Sequence, residues 1–314
     1  MFQLSQYALV AATILVALGV AATIANLTRH PSQREALAPA PVTVGGGGGV
    51  ALHPGHGGGE SGGVGGSGGA GIPPAGGVRL AGYASLVTGL ALLVLTLGLI
   101  FSALATGHGP FANQHEFAVA FAWGILAANL FFEWRYHARA LAIFVLPFAL
   151  AMLVYAVTID AKPGPLVPAL QNSLLLTAHV FTAVLAYGAA AVACAAGTLY
   201  LLAPRIRWHG MPRQSFLDEL GYRAVMIAFP LMTVMIILGA IWADVAWGHY
   251  WSWDPKETAA LVTWLIYGAY LHARVSRGWR GDRSAFLLIL GFAAVIFTFM
   301  GNYFFTGMHS YGGK

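Results

Sequence analysis

Charged residues are scarce in this chain. Only 9% of its 314 residues are Asp, Glu, Lys or Arg, whereas 58% are hydrophobic, and a soluble domain typically has about 25% charged residues. This composition excludes an ordinary soluble domain. The net charge of +5 is accounted for by the membrane topology described below, so the charge indicates no nucleic-acid partner.

Cysteine is nearly absent. Cys194 is the only one, and it lies inside a long apolar run, where a small buried packing role is the simplest interpretation. Without a CxxC pair, the chain cannot act as a dithiol oxidoreductase. Internal repeats are also lacking, which argues against a transporter built from inverted repeats.

Long apolar runs dominate the sequence instead. About 20 apolar residues cross the ~30 Å hydrocarbon core of a bilayer, and they do so as a helix because backbone polar groups in lipid must be satisfied internally. We predict an all-α integral membrane protein with about eight transmembrane helices. The predicted spans are residues 5–27, 80–104, 112–132, 139–159, 173–203, 224–243, 257–273 and 284–305.

The basic residues are divided unequally between the two sides of these spans. Since cytoplasmic loops carry the excess of Lys and Arg, the richer side is predicted to be cytoplasmic. Both termini and the active face are then extracytoplasmic, in a plasma or inner membrane. The poorer side carries Lys162, Lys256 and Lys314. The richer side carries Arg29, Arg34, Arg79, Arg135, Arg139, Arg205, Arg207, Arg213, Arg223, Arg274, Arg277, Arg280 and Arg283.

Glycine and proline are concentrated in residues 39–78. A segment of this composition buries too little apolar surface to fold, so we predict a disordered cytoplasmic linker. It separates a first transmembrane helix, within residues 1–38, from a seven-helix domain at residues 79–314.

Three tryptophans stand close together between two apolar runs, at Trp247, Trp251 and Trp253. Single tryptophans at helix ends are typical of an aromatic belt at the membrane surface. Three tryptophans in one loop are about equally consistent with an aromatic belt and with a flat platform for a large planar ligand. Both interpretations remain open at this point.

The loop ends in a signal for the start of a helix. Asp254 is a favourable N-cap, Pro255 suits the first helical position, and Glu257 is placed to complete a capping box. Asp254 therefore has a structural role, and by setting the helix start it also orients the tryptophans before it.

Two histidines are predicted at the same depth as this loop. His179 lies about two turns into the fifth span, and His309 follows the last span. Ionisable residues in or against a membrane span are functional candidates. Two imidazoles and an aromatic enclosure suit the axial ligands and the planar ring of haem.

His272 is predicted at the opposite end of the seventh span. It follows Asp254 by 18 positions, or about 27 Å of helix, so one haem cannot reach both ends. As an iron ligand, His272 would define a second, inner site, with Arg274 available to pair with a propionate. As an ordinary histidine at the membrane interface, His272 would bind no iron.

Residues 247–274, WGHYWSWDPKETAALVTWLIYGAYLHAR, resemble the signature of the CcsA-type cytochrome c biogenesis proteins, members of the haem-handling family named for its tryptophan-rich WWD loop. The resemblance extends over about residues 80–314 and includes the closing GMHSYG. Related haem exporters and lyase subunits share the tryptophan loop, but they are not expected to share the run from Lys256 through His272 to Arg274.

The resemblance implies haem b as the ligand, a partner of the CcsB (ResB) type, and apocytochrome c as acceptor. It implies a subunit of a holocytochrome c synthase, which moves haem outward and presents it for thioether attachment at CxxCH. His179 and His309 match the outer axial pair, and His272 matches the inner ligand. The haem-binding segment corresponds to Trp247, Gly248, Trp251, Trp253 and Asp254.

Two alternatives remain. A haem exporter without attachment activity would need the same residues. A membrane cytochrome b that transfers electrons would need paired histidines at both depths, and the inner depth has one candidate, His272.

Overall fold

The computed structural model describes residues 1–28, 75–159, 161, 168–171, 173–206 and 211–309. In these residues the secondary structure is helical and contains no β-strand, so the predicted all-α class is confirmed. The long helices are α1 Phe2–Thr28, α2 Ala75–Thr106, α3 Gln114–Tyr136, α4 Ala142–Thr158, α5 Ser173–Leu202, α6 Gln214–Trp247, α7 Pro255–Arg277 and α8 Asp282–Phe304.

All of these helices except α7 are long and apolar enough to cross a membrane, which makes seven candidate spans within the described residues. α7 has 23 residues, about 34 Å of helix, but it is the least apolar of the eight. The bounds of α6 differ from the predicted span 224–243, because this helix begins at Gln214 and continues for 34 residues.

The predicted linker, residues 39–78, lies outside the described residues except for its last four, with which α2 begins at Ala75. α1, which precedes it in sequence, packs against α2 and α4. Apolar side chains of α1 such as Tyr7 and Ile14 are exposed, as expected for a helix that faces lipid.

α5 lies at the centre of the bundle, where it packs against α3, α6 and α8. Its alanine-rich second half is almost entirely buried. Gly188 of α5 crosses α3 at Gly124, and a Cβ at either position would clash with the backbone of the other helix. Small residues of this kind let membrane helices approach closely, and here they bring α3 against the helix that carries His179.

The N-termini of α3, α5 and α7 and the C-termini of α6 and α8 meet at one end of the bundle, since residues from all five of these ends line one cavity. The connection between α6 and α7 is the tryptophan loop, so we call this end the tryptophan-loop end. The arginines of α7, in its last turn, lie at the opposite end.

Candidate functional site

A cavity of about 510 Å³ lies at the tryptophan-loop end, within the size range of small-molecule and cofactor sites. Its walls are mostly apolar and aromatic, and they include both His179 and His309. Tyr250 also lines the cavity and is 61% exposed, so the cavity opens to the surface beside this side chain.

His179 is held against the backbone of α6. Its Nδ1 lies 2.8 Å from the carbonyl oxygen of Met235. A carbonyl can only accept a hydrogen bond, so Nδ1 carries the proton and Nε2 has the lone pair. Nε2 makes no hydrogen bond to any residue that the structure describes. The imidazole is therefore fixed in the tautomer that can bind a metal through Nε2.

Gly239 provides the space for this imidazole. A Cβ at position 239 would lie 2.7 Å from Cε1 and 2.9 Å from Nδ1 of His179. Glycine inside a helix costs about 1 kcal/mol relative to alanine, so a mid-helix glycine needs a packing reason. That signal was available in the sequence, but it did not indicate which side chain would occupy the space.

His309 follows α8 and reaches back to the start of α7. Its Nδ1 lies 2.9 Å from Oδ2 of Asp254, and its ring contacts those of Trp247 and Trp242, with centroids 5.0 Å and 5.8 Å away. Any metal bond of His309 would have to be made through Nε2, because Asp254 engages Nδ1.

Asp254 joins the helix start to this histidine. Oδ2 accepts a hydrogen bond from the backbone N–H of Lys256, and the capping box with Glu257 is present, which confirms the predicted structural role. Oδ1 accepts a hydrogen bond from the N–H of Met308 at 2.6 Å. The Cα of Gly307 lies against Asp254, where a Cβ would clash with the carboxylate.

The carboxyl of Asp254 is strongly acidic. Burial works against its ionisation, but the hydrogen bond and charge of His309 and the two backbone N–H donors outweigh burial and lower the pKa of Asp254 to about 2. Asp254 is therefore a carboxylate at neutral pH and can only accept, so Nδ1 of His309 carries the proton. A carboxylate that accepts from Nδ1 makes the imidazole a better metal ligand through its other nitrogen.

The three tryptophans of the loop have different environments. Trp251 lines the cavity, and Trp247 packs edge-on against Trp242, with ring centroids 4.8 Å apart. Trp253 is 70% exposed, has a φ of 60°, and its ring lies perpendicular to that of Trp251, with an interplanar angle of 89°. Gly248 ends α6 in a left-handed conformation with a φ of 80°. The structure thus places Trp251 at the cavity, Trp247 behind it and Trp253 at the surface.

Trp242 of α6 contacts both imidazoles. It is buried and stacks nearly parallel to His179, with an interplanar angle of 5° and centroids 6.4 Å apart. The sequence analysis did not include Trp242 among the candidate site residues. Its position three residues after Gly239 puts both on one face of α6, which only became informative once His179 was located.

At the opposite end of α7, the structure does not bring His272 and Arg274 together. His272 is exposed. Arg274 is buried on the other face of the helix, where Nη1 lies 2.9 Å from Asp218 Oδ2 and the guanidinium lies over the ring of Tyr222. Arg274 thus connects α7 to α6.

Comparison with known proteins gives the family. The model of the family "Cytochrome C assembly protein" matches residues 111–309. The protein CcsA of Guillardia theta is 35% identical over 260 residues, which cover 74% of this chain and 85% of that protein. CcsA of Prochlorococcus marinus strain MIT 9312 is 37% identical over 259 residues, which cover 72% of this chain and 84% of that protein.

A solved structure, that of "Cytochrome c Heme Lyase CcmF", is similar with a TM-score of 0.63 and 16% identity. The similarity covers 95% of this chain and 46% of CcmF, and at this identity it shows a shared fold. Fold and cavity thus define an all-α polytopic membrane protein with an imidazole-lined site. The chain belongs to the cytochrome c assembly protein family, as a CcsA-type cytochrome c biogenesis protein with a role in cytochrome c maturation.

Proposed function

We propose that this protein binds haem b in the cavity at the tryptophan-loop end, with His179 and His309 as the axial ligands of the iron, and presents it to apocytochrome c. The proposal rests on the hydrogen bonds that hold the two imidazoles. Each is bound at Nδ1 by a group that can only accept, Met235 O or the Asp254 carboxylate. In both rings Nδ1 therefore carries a proton, and Nε2 is the nitrogen through which the neutral imidazole would coordinate iron.

The walls of the cavity suit a planar apolar ring. Trp242, Trp251 and Phe117 contribute aromatic surface, and Ala183 and Ala260 leave room beside it. Such walls stack on a macrocycle and keep water from the iron and from the reacting edge. The opening beside Tyr250 is where an acceptor polypeptide would approach.

The chemistry of attachment then requires mainly positioning. Each acceptor thiol adds across one vinyl group, with the sulfur on one carbon and the proton on the other, so no leaving group is released. The residues of the cavity hold the macrocycle in place while the CxxCH segment binds at the opening. We expect the acceptor histidine to replace one of the two imidazoles. Orientation of this kind supplies much of the barrier reduction in such reactions.

The exposed side chain of His272 supports a second site shared with another protein. It lies on one stripe of α7 with Val262, Leu265, Ala269 and Ser276, all exposed, at the spacing of a helix-packing seam. We propose that a helix of a CcsB (ResB)-type partner covers this stripe and supplies the second ligand of an inner haem, which then passes outward. The active face, at the tryptophan-loop end, would be extracytoplasmic.

The direct test is a titration of the purified full chain, in lipid nanodiscs, with haem. We expect saturable binding with the absorbance spectrum of a six-coordinate, low-spin haem. His179→Gly should convert it to a five-coordinate, high-spin spectrum. A high-spin spectrum in the unmodified protein, or an unchanged low-spin spectrum in both His179→Gly and His309→Gly, would contradict the assignment.

A substitution at Asp254 separates its role as the N-cap of α7 from its contact with His309. Asn is also a favourable N-cap, so Asp254→Asn should keep the start of α7 but lose the carboxylate beside His309. We expect haem affinity in the nanodisc titration to fall about 10- to 100-fold, as for other second-layer partners of metal-bound histidine. Asp282→Asn, the same change in the first turn of α8 at the opposite end of the bundle, is the matched control and should bind haem normally. Equal affinity in the two variants would argue against a role of Asp254 beyond capping.

A further inference from the structure

Lys256 is the only lysine or arginine among the described residues that line the cavity. It occupies the first turn of α7, two residues after Asp254, and its Nζ lies 5.5 Å from the centre of the Phe117 ring. An ammonium group in an apolar cavity is costly unless an anion or several hydrogen bonds compensate it. Contact with one aromatic face compensates it only in part.

The carboxylates near Lys256 are engaged elsewhere. Asp254 binds His309 and two backbone N–H groups. The carboxylate of Glu257 accepts hydrogen bonds from the backbone N–H groups of Ser252 and Asp254. Within the part of the chain that the structure describes, no ion pair includes Lys256. An anionic group on a molecule in the cavity would supply such a partner.

We propose that Lys256 binds a propionate carboxylate of the haem and so determines which edge of the macrocycle lies at the start of α7. This proposal rests on the proposed function. In haem the two propionates lie at one edge and the two vinyl groups at other positions around the ring. Two axial imidazoles alone would leave the porphyrin free to rotate about the iron. A cation at a fixed position in the cavity wall therefore sets the orientation of the porphyrin. Lys256 is thus a binding and positioning residue, and the vinyl groups are directed away from it.

The position of Lys256 supports this assignment over an accidental burial. Lys256 lies in the capped first turn of α7, two residues after Asp254, which binds His309. The start of the helix therefore fixes the distance between the proposed iron ligand and the cation. A single short turn would then determine both where the iron sits and how the ring is rotated about it.

The experiment compares iron protoporphyrin IX with its dimethyl ester, in which both carboxylates are neutral. Each is titrated into the purified full chain in nanodiscs, with the change in Soret absorbance as readout. We expect the unmodified protein to bind haem at least about tenfold more tightly than the ester, the size of one charge-assisted contact. Lys256→Met should weaken haem binding by a similar factor and bind both compounds equally. Arg277→Met, at the opposite end of α7, is the control and should keep the preference.

Two results would overturn the proposal while the proposed function stands: equal binding of haem and ester by the unmodified protein, or the same preference for haem in Lys256→Met. The second result would mean that the ester is excluded by its size or that another group binds the propionates. If Lys256→Met does not fold, Lys256→Arg, which keeps the charge, must retain the preference. Failure of the unmodified protein to bind either compound would overturn the proposed function and this proposal together.

Discussion

His179→Gly and His309→Gly should each abolish maturation of c-type cytochromes in cells that depend on this protein. Glycine removes an iron ligand and leaves a space of imidazole size, without a new side chain to fill it. We expect haem affinity to fall by more than about a hundredfold, because losing a ligand costs more than losing the group behind it. Covalently bound haem in the membrane and soluble fractions, measured by haem staining after denaturing electrophoresis, reports the effect.

Added imidazole is the decisive part of this experiment. It can enter the space left by the substitution and restore the missing bond, so maturation should return in part in both variants. His249→Gly is the matched control, because His249 belongs to the tryptophan loop but does not line the cavity. It should mature cytochromes normally. Full maturation in either single variant, at equal protein abundance, would contradict the model in which both imidazoles bind one iron.

The second large effect is expected from a residue that has no chemistry of its own. In Gly239→Ala the new Cβ would lie 2.7 Å from Cε1 of His179, so the ring must move and its hydrogen bond to Met235 O is lost. Gly239→Leu should displace the ring completely. We expect haem affinity to fall at least about tenfold in Gly239→Ala. In Gly239→Leu it should fall as much as in His179→Gly.

Folding stability should change little in Gly239→Ala. Alanine stabilises a helix interior by up to about 1 kcal/mol relative to glycine, and this gain offsets the lost hydrogen bond of about 1 kcal/mol, so thermal unfolding of the haem-free chain should occur at nearly the same temperature. Gly301→Ala is the control, since a Cβ at this position of α8 meets no atom within 4 Å. Normal haem affinity in both Gly239 variants would show that the contact with His179 has no functional consequence.

The helices of this protein could be predicted from local sequence. Each apolar run had to be helical, because lipid offers the backbone no alternative partners, and the capping box at Asp254 is formed by residues within one turn. The predicted sixth span did not include the first turns of α6. Hydropathy indicates where a helix lies in lipid, but α6 begins at Gln214, before the apolar run at residues 224–243.

The candidate iron ligands could be proposed from their residue type and their predicted depth in the membrane. The groups that hydrogen-bond to them could not. The contact between Asp254 and His309 joins positions 55 residues apart, and the contact between His179 and Met235 joins positions 56 apart. Contacts of this range depend on how the helices pack, and that packing depends on close crossings such as the one at Gly188.

The sequence by itself determined an all-helical membrane protein, the capped start of α7 and the residue types suited to haem, because these follow from composition and from interactions within one turn. Only the tertiary structure decided that Gly239, Trp242 and Lys256 belong to the cavity, that Trp253 lies outside it, and that Arg274 binds Asp218 instead of a ligand near His272. The reason is geometric: a side chain's role depends on which neighbouring helix it faces, and helical periodicity alone does not say which helix that is.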